Sequence, residues 1–205
     1  MTRLILALLA LLAFATPVLA APPEPATLSE GQVLRGRFVQ ERHLKGFQNP
    51  LKSEGRFTLV PGRGLLWRTD KPFAMTTVMS PSGIVQEVRG AETMRLPASK
   101  LPFLSKLYAM LGGALGGDLR SLEGLFAVTR ESDPAGWRMV LVPLKADDPA
   151  MPIRRITLTG ARLVEAVEIV KPEGDSDVLR FLDQELTAGP PAEDEARLLG
   201  TADRS

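Results

Sequence analysis

Residues 53–73, SEGRFTLVPGRGLLWRTDKPF, decide the fold, because two apolar runs flank the turn formers at residues 61–64. Proline and glycine favour a reversal of the chain there. In the first run Phe57 and Leu59 alternate with polar residues, which is the period of a β-strand. The second run, residues 65–67, is apolar at three consecutive positions, so both faces of that strand bear apolar side chains. The stretch therefore predicts a β-hairpin with an inner face that something else must cover.

The same period of two recurs along most of the chain. Brief loops rich in Gly, Pro and Asp separate the runs, which favours an antiparallel sheet in meander order. A sheet with this many strands coils into a half or whole barrel rather than staying flat. The predicted strands cover residues 36–42, 53–60, 64–69, 73–80, 84–88, 94–96, 126–131, 137–142, 153–159, 163–170 and 178–183. In the run 73–80, Phe73, Met75, Thr77 and Met79 are expected on one face.

Helical patterns are few, and they are candidates for the cover. A short helix is expected from Thr27 to about Leu34, a second over residues 101–115 and a third turn from residue 118. The second ends in two Gly-Gly pairs. Each glycine costs a helix about 1 kcal/mol relative to alanine. This segment is therefore either a loosely held lid over an apolar cavity or a plain helix end followed by a glycine loop.

The N-terminus predicts export. Arg3 precedes an uncharged apolar run, and small residues lead up to Ala21, as in a secretory signal peptide cleaved after Ala20. The run is shorter than a membrane-spanning helix requires. Residues 21–26 are expected to be a disordered leader, residues 27–188 one domain, and residues 189–205 a disordered polar tail.

Composition argues against several classes of protein. The chain has 25 Lys and Arg against 24 Asp and Glu, and loss of Arg3 with the signal peptide leaves 24 of each. A neutral mature chain lacks the basic excess typical of nucleic-acid binders. It also argues against attachment to anionic lipid by charge alone. Without cysteine there is no disulfide, so burial must stabilise the fold.

The sequence shows no pattern for catalysis. His43 is the only histidine, and no Gly-x-Ser-x-Gly, His-Glu-x-x-His or phosphate-binding glycine loop is present. We therefore expect neither an enzyme nor a metal site or cofactor. Instead, methionines are spread over the predicted strands and the lid, and flexible thioethers suit variable apolar guests. Core packing explains each methionine singly, whereas a ligand cavity explains them together. They are Met75, Met79, Met94, Met110 and Met139.

Five segments together resemble the LolA-like family of outer-membrane lipoprotein carriers. They are LRGRFVQERHL, SEGRFTLVPGRGLLWRTDKPF, LPFLSKLYAMLGG, GWRMVLVPLKADDPAMPIRRITLT and FLDQEL. The resemblance implies an eleven-stranded, mainly β, antiparallel half-barrel with short helices as a lid over an apolar cavity. It also implies a periplasmic carrier that receives lipoprotein acyl chains from an inner-membrane exporter and passes them to an outer-membrane acceptor. We expect the carrier to be a monomer.

Some wording, such as PLKSEGRF and GRGLLWRT, looks more like a divergent branch of the family. That leaves open a glycolipid or polyene-type lipid as cargo, and related half-barrels also act as envelope lipid sensors. The resemblance implies a residue that latches the lid. Arg63 is the nearest match, Pro61 is the other candidate for that position, and a plain hairpin-turn role is the alternative for Arg63. The acyl-contacting residues that it implies are Phe38, Phe57, Leu66, Trp67, Met75, Leu104, Leu107 and Leu111.

Overall fold

The computed structural model describes residues 26–100, 115, 124–145 and 152–202. It confirms a mainly β fold in which eleven strands form one antiparallel, curled sheet, as in a half-barrel. Every predicted strand is present, most of them one to four residues longer than expected. The strands are β1 Gln32–His43, β2 Leu51–Val60, β3 Gly64–Lys71, β4 Met75–Ser80, β5 Gly83–Val88, β6 Ala91–Pro97, β7 Phe126–Asp133, β8 Gly136–Pro143, β9 Arg155–Gly160, β10 Val164–Val170 and β11 Ser176–Ala188.

The order of the strands departs from a simple meander at one place. The sheet runs β6-β5-β4-β3-β2-β1-β11-β10-β9-β8-β7, so the first and last strands pair at its centre. Consecutive strands β6 and β7 consequently lie at opposite edges of the sheet. The chain between them, residues 98–125, connects those edges and contains the predicted lid. Within it Leu115 is 2% exposed and packs in the core.

A continuous hydrophobic core lies on one face of the curled sheet, here called the inner face. Strand register places Trp67 beside Phe57 on this face, and Met139 beside Leu158. Eight neighbouring strands of the sheet, from β3 to the edge strand β7, contribute residues to this core. The buried residues, called the inner cluster, are Leu28, Leu34, Phe38, Phe57, Leu59, Leu65, Leu115, Phe126, Trp137, Met139, Leu141, Ile153, Ile156, Leu158, Val164, Val167, Leu179 and Phe181.

A second, smaller core lies on the opposite, outer face. It explains why the run Leu65-Leu66-Trp67 is apolar throughout: Leu65 belongs to the inner cluster, Trp67 packs against it, and Leu66 points the other way. The outer face is covered by a C-terminal helix, α1 (Glu193–Leu199). The residues of this outer cluster are Val33, Val60, Leu66, Val78, Val85, Leu198, Leu199 and Ala202.

The prediction of a disordered tail over residues 189–205 was wrong for the part that contains α1. The helix has the expected start and stop signals: acidic residues at its first turn, Arg197 in its last turn and Gly200 as its C-cap. Leu198 and Leu199 then bury against the sheet. The segment is polar overall, and that composition is typical of a disordered tail. Its few apolar residues lie on one side of the helix, however, and they are enough to bury that side against the sheet.

Buried polar contacts hold α1 on the sheet. Glu195, 5% exposed, accepts two hydrogen bonds from the Arg35 guanidinium on β1, at 2.8 and 2.7 Å. It also accepts one from the Thr58 hydroxyl at 3.0 Å and one from the Ala192 backbone N–H at 2.8 Å. Arg35 in turn donates to Thr187 Oγ1 on β11. One carboxylate therefore ties the helix to β1 and β2 and, through Arg35, to β11.

This site predicts loss of stability in acid. The Arg35 guanidinium, opposed in part by burial, lowers the pKa of Glu195 from 4.5 to about 2. A depressed folded-state pKa stabilises the fold above pH 4.5, and that contribution is lost as the pH falls towards 2. We expect about 2 kcal/mol less free energy of unfolding at pH 3 than at pH 6 from this group. Urea unfolding at both pH values measures it, and Glu195→Gln should remove that part of the pH dependence.

The helix expected from Thr27 to about Leu34 is absent. Gln32 already pairs with Ala188 of β11, so the segment is extended from there onwards. As a result Val33 and Leu34 point to opposite faces of the sheet, as neighbouring residues of a strand do, and they belong to different clusters. Pairing with a neighbouring strand outweighed the local helix signal.

Candidate functional site

Four aromatic rings meet at the centre of the inner face. Trp67 stacks on Phe38 with ring centroids 3.8 Å apart and lies 6.3 Å from Phe57. Phe181 approaches edge-on, 5.3 Å from Phe57 and 6.2 Å from Trp67. These rings come from strands β1, β2, β3 and β11, so they join the two halves of the sheet. Offset and edge-on pairs of this kind are favourable beyond the area that they bury.

Glycines on the intervening strands make room for the rings. Phe57 on β2 and Phe181 on β11 are separated by β1, where Gly36 pairs with Phe57. A Cβ at Gly36 would lie 2.7 Å from Cε1 of Phe57, so only glycine lets that ring cross β1. Gly55 on β2 pairs with Phe38 on β1, and a Cβ there would overlap the carbonyl oxygen of Arg68, so glycine is needed for the close approach of β2 and β3.

Methionines border the aromatic rings on the same face. Register places Met75 beside Thr69 on β3, and Met79 beside Leu65, both in line with Trp67. Met94 on β6 and Met139 on β8 face the same side towards the two edges. Flexible thioethers can adapt to guests of different shape. The described methionines of the predicted set are therefore all on the inner face; Met110 lies outside the described residues.

The inner cluster is covered in this conformation. Phe38, Phe57 and Phe181 are at most 3% exposed. Part of the cover comes from outside the sheet, because Leu28 and Leu115 belong to the same cluster. Leu28 precedes β1, where the Ala26 N–H donates to the Arg162 carbonyl. Trp67 is only partly buried, so an acyl chain could contact its ring first and reach the other three rings only by displacing some of this cover.

One end of the sheet is polar on its inner side. This end, called the loop rim, comprises residues 44–50, 72–74, 89–90, 124–125, 144–145, 152–154 and 171–175 together with the strand ends beside them. Here Asp177 is buried and accepts hydrogen bonds from Gln40 and Arg42, at 3.0 and 2.8 Å, while Lys171 Nζ lies 2.9 Å away. Burial by itself would raise the pKa of Asp177, but these donors hold it below its ordinary value. The inner face is thus apolar at its centre and ionic towards this end.

A depression of about 690 Å³ lies at the same end, beside β8, β9 and β10. Its size is within the range of small-molecule pockets. Apolar residues line most of it, with Arg154 and Arg155 between them. The lining residues are Val142, Pro143, Ile153, Arg154, Arg155, Val170 and Pro172.

The predicted acyl-contacting residues separate into three groups. The structure brings Phe38, Phe57 and Trp67 together and places Met75 on the same face. Leu66 was assigned to the wrong face, because it lies in the outer cluster beneath α1. Leu104, Leu107 and Leu111 lie outside the described residues.

Two residues with predicted roles lie in exposed loops: Arg63, the predicted latch, and Phe73, which was expected in the same strand as Met75 and Met79. Arg63 lies in the β2–β3 turn, where its backbone N–H donates to the Val60 carbonyl. Its contact with the lid stays a prediction. Phe73 is 82% exposed and precedes β4, so it does not share the inner face with Met75 and Met79.

Two important residues were missed by sequence reasoning. Phe181 completes the aromatic group, and Leu115 covers the inner face. The alternation of Leu179 and Phe181 in β11 marks them as residues of one face, which could have placed Phe181 beside Phe38 if the β1–β11 pairing had been known. Leu115 stands between glycine pairs and gave no separate signal.

The described part of the chain contains neither a group of metal ligands nor a helix that could span a membrane. No three residues among its histidines, aspartates and glutamates are grouped as metal ligands would be. Nor does any helix in these ranges combine the length and apolarity of a membrane span.

Solved structures give distant likenesses. A chain in the complex of Pseudomonas aeruginosa MucA/MucB is 14% identical with a TM-score of 0.47, and the match covers 80% of this chain but 54% of that one. A LolA superfamily protein from Nitrosomonas europaea is 9% identical, TM-score 0.38, covering 82% and 90%. LprF from Mycobacterium bovis is 14% identical, TM-score 0.35, covering 78% and 90%. These values are too low to support an argument about function.

Comparison with curated protein sequences gives no match. A protein-family model does match, and it spans residues 26–188, from the segment before β1 to the last residue of β11. The matched range contains the whole sheet and therefore the inner cluster. The chain belongs to the family described as outer membrane lipoprotein carrier protein LolA-like.

Proposed function

We propose that this protein is a periplasmic carrier that shields the acyl chains of lipoproteins or related lipids between the inner and outer membranes. Its family is one of carriers rather than enzymes. The observation that best supports the proposal is the inner cluster, which forms a continuous apolar face with part of its cover supplied by Leu28 and Leu115. A separate cover can be displaced without breaking the sheet.

The energetics favour reversible binding. Burying about 800 to 1,000 Å² of acyl surface at about 25 cal/mol per Å² gives a gross gain on the order of 20 kcal/mol. Displacing the existing cover from the aromatic rings offsets much of this gain, as does the freedom lost on association. A carrier needs such a balance, because a cargo bound with the full gain would not be released.

The proposed carrier reaches the periplasm by export and exchanges its cargo with partners in both membranes. The signal-peptide pattern at residues 1–20 supports export through the inner membrane. A donor in the inner membrane and an acceptor in the outer membrane would then exchange cargo with a monomeric carrier. Mass spectrometry of ligands extracted from the protein purified from its native periplasm would distinguish lipoproteins from a glycolipid or polyene-type lipid. Recovery of no acyl-bearing ligand would count against the carrier function.

Trp67 can report acyl binding directly. The chain has two tryptophans, so Trp137→Phe leaves Trp67 as the only one. We expect a lysophospholipid with a brominated acyl chain to quench most of its emission, because the bromine would contact a ring that stacks on Phe38. The same lipid without bromine is the control for changes in conformation.

The reciprocal variant, Trp67→Phe, leaves Trp137 near the other end of the inner face, where its indole N–H donates to the Ala161 carbonyl. We expect weaker quenching there. Equal quenching in both variants would indicate non-specific association. Unquenched Trp67 at saturating brominated lipid would show that the aromatic rings are not the acyl site.

A further inference from the structure

Exposed hydrophobic side chains are concentrated at the loop rim. Among the described residues seven large hydrophobic side chains are exposed, and six lie at this end of the sheet. Phe47 and Phe73, the most exposed, are 70% and 82% accessible and occupy two adjacent loops. The other four are Leu51, Val88, Val142 and Leu144. The seventh, Leu182, lies on β11 away from the rim.

The opposite end of the sheet is different. Its turns, residues 61–63, 81–82, 134–135 and 161–163, contain no exposed large hydrophobic residue among those described. A scattered surface hydrophobic needs no explanation, but a set confined to one end of a molecule marks an interaction surface. The loop rim is therefore a candidate docking surface.

Positive charge accompanies the apolar residues of the rim. Five of the six exposed apolar side chains at the rim have a lysine or arginine within two residues along the chain. The pairs are Lys45 with Phe47, Lys52 with Leu51, Lys71 with Phe73, Arg89 with Val88, and Lys145 with Leu144. Cations that flank apolar anchors are typical of surfaces that settle at the interface of an anionic bilayer.

Part of this positive charge is available to a partner. Lys52 and Lys71 are paired with Glu41 and Glu54, at 3.0 and 2.7 Å. Lys45, Arg89, Lys145 and Arg154 are exposed and form no ion pair with another described residue. Each such cation near an anionic membrane strengthens binding about fivefold. Because the mature chain is neutral as a whole, these cations alone would not hold it on an anionic membrane. Binding there would need the exposed apolar side chains as well.

We propose that the loop rim docks on the surface of an anionic lipid bilayer, with Phe47 and Phe73 inserted among the acyl chains and the neighbouring cations on lipid phosphates. A protein partner would also bury apolar side chains. However, cations repeated beside apolar anchors in separate loops match the layered chemistry of a bilayer more closely. This inference deepens the proposed carrier function and rests on it, since the rim would bring the inner face close to the membrane that supplies or receives the acyl chains.

Flotation of the mature chain with vesicles tests the proposal. We expect association with vesicles of phosphatidylethanolamine and phosphatidylglycerol, and less with phosphatidylcholine alone or at high salt. The double variant Phe47→Ser, Phe73→Ser should bind about tenfold more weakly or worse, because two inserted rings are lost. Leu182→Ser is the matched control, an exposed apolar residue away from the rim, and should bind like the unchanged chain.

Two results would overturn docking: no association of the unchanged chain with anionic vesicles, or equal association of the double and Leu182→Ser variants. Quenching of Trp67 by brominated lipid distinguishes failure of docking from failure of the carrier function. It is measured in the Trp137→Phe background, with and without the rim substitutions. Retained quenching with lost flotation supports a docking role for the rim. Quenching without any vesicle association of the unchanged chain refutes docking while leaving the carrier function intact.

Discussion

Replacing Glu195 by alanine is expected to lower the free energy of unfolding by about 3 kcal/mol, with α1 released from the sheet. The substitution removes the shared partner of the Arg35 guanidinium and the Thr58 hydroxyl. Breaking a buried ion pair from one side is costly, because the remaining groups lose their hydrogen bonds while still partly buried. Arg35 is one-third exposed, so water can offset some of the loss.

Urea unfolding measures this change, and hydrogen exchange at residues 193–202 shows whether the helix is released. Asp194→Ala is the matched control one residue earlier. Its partner is Arg68 at 2.8 Å, but the carboxylate is 57% exposed, so we expect a cost of at most about 1 kcal/mol. Similar costs for the two variants would mean that Glu195 does not fasten the helix.

The second large effect is expected at Gly36. Changing it to valine places a Cβ 2.7 Å from Cε1 of Phe57 and 3.0 Å from the Leu182 carbonyl oxygen. The Phe57 ring must then leave its edge-on contact with Phe181. Overpacking a core in this way costs about 3 kcal/mol. We also expect reduced quenching of Trp67 by brominated lipid, because the aromatic group that lines the proposed acyl site is disrupted.

Gly124→Val is the control for Gly36→Val, since a Cβ at Gly124 meets no described residue within 4 Å. We expect its unfolding midpoint in urea to stay close to that of the unchanged chain. Near-ultraviolet circular dichroism should change in the Gly36 variant alone, because it reports the packing of aromatic rings. An unaltered aromatic spectrum in Gly36→Val would show that the ring of Phe57 need not cross β1.

Glu195 contacts the outer face of β1 and β2, whereas Gly36 makes room for a ring on their inner face, and β3 contributes to both faces. Leu65 and Trp67 serve the inner face, where the rings and methionines provide the proposed acyl site. Leu66 serves the outer face, where α1 covers it and leaves that surface closed. The consecutive apolar residues therefore reflect two separate cores, and only one of them is proposed to exchange its cover for cargo.

Much of the fold followed from local pattern. Alternation with period two located every strand, and the hairpin at residues 61–64 formed where proline and glycine predicted it. Most of the aromatic site was also predictable, because Phe57 and Trp67 are neighbours across that hairpin. Residues that pair across a hairpin lie on the same face of the sheet, so Phe57 and Trp67 share a face regardless of how the other strands pair.

The sequence by itself determined which residues of a strand share a face, because neighbouring side chains of an extended chain point to opposite sides. Only the tertiary structure decided which face carries the larger core, and so whether Leu66 or Trp67 faces the core that could hold a ligand. It also decided that Glu193–Leu199 is an ordered helix. So short a helix is marginal alone and becomes stable through contacts with distant strands, and such contacts have no local signature in the sequence.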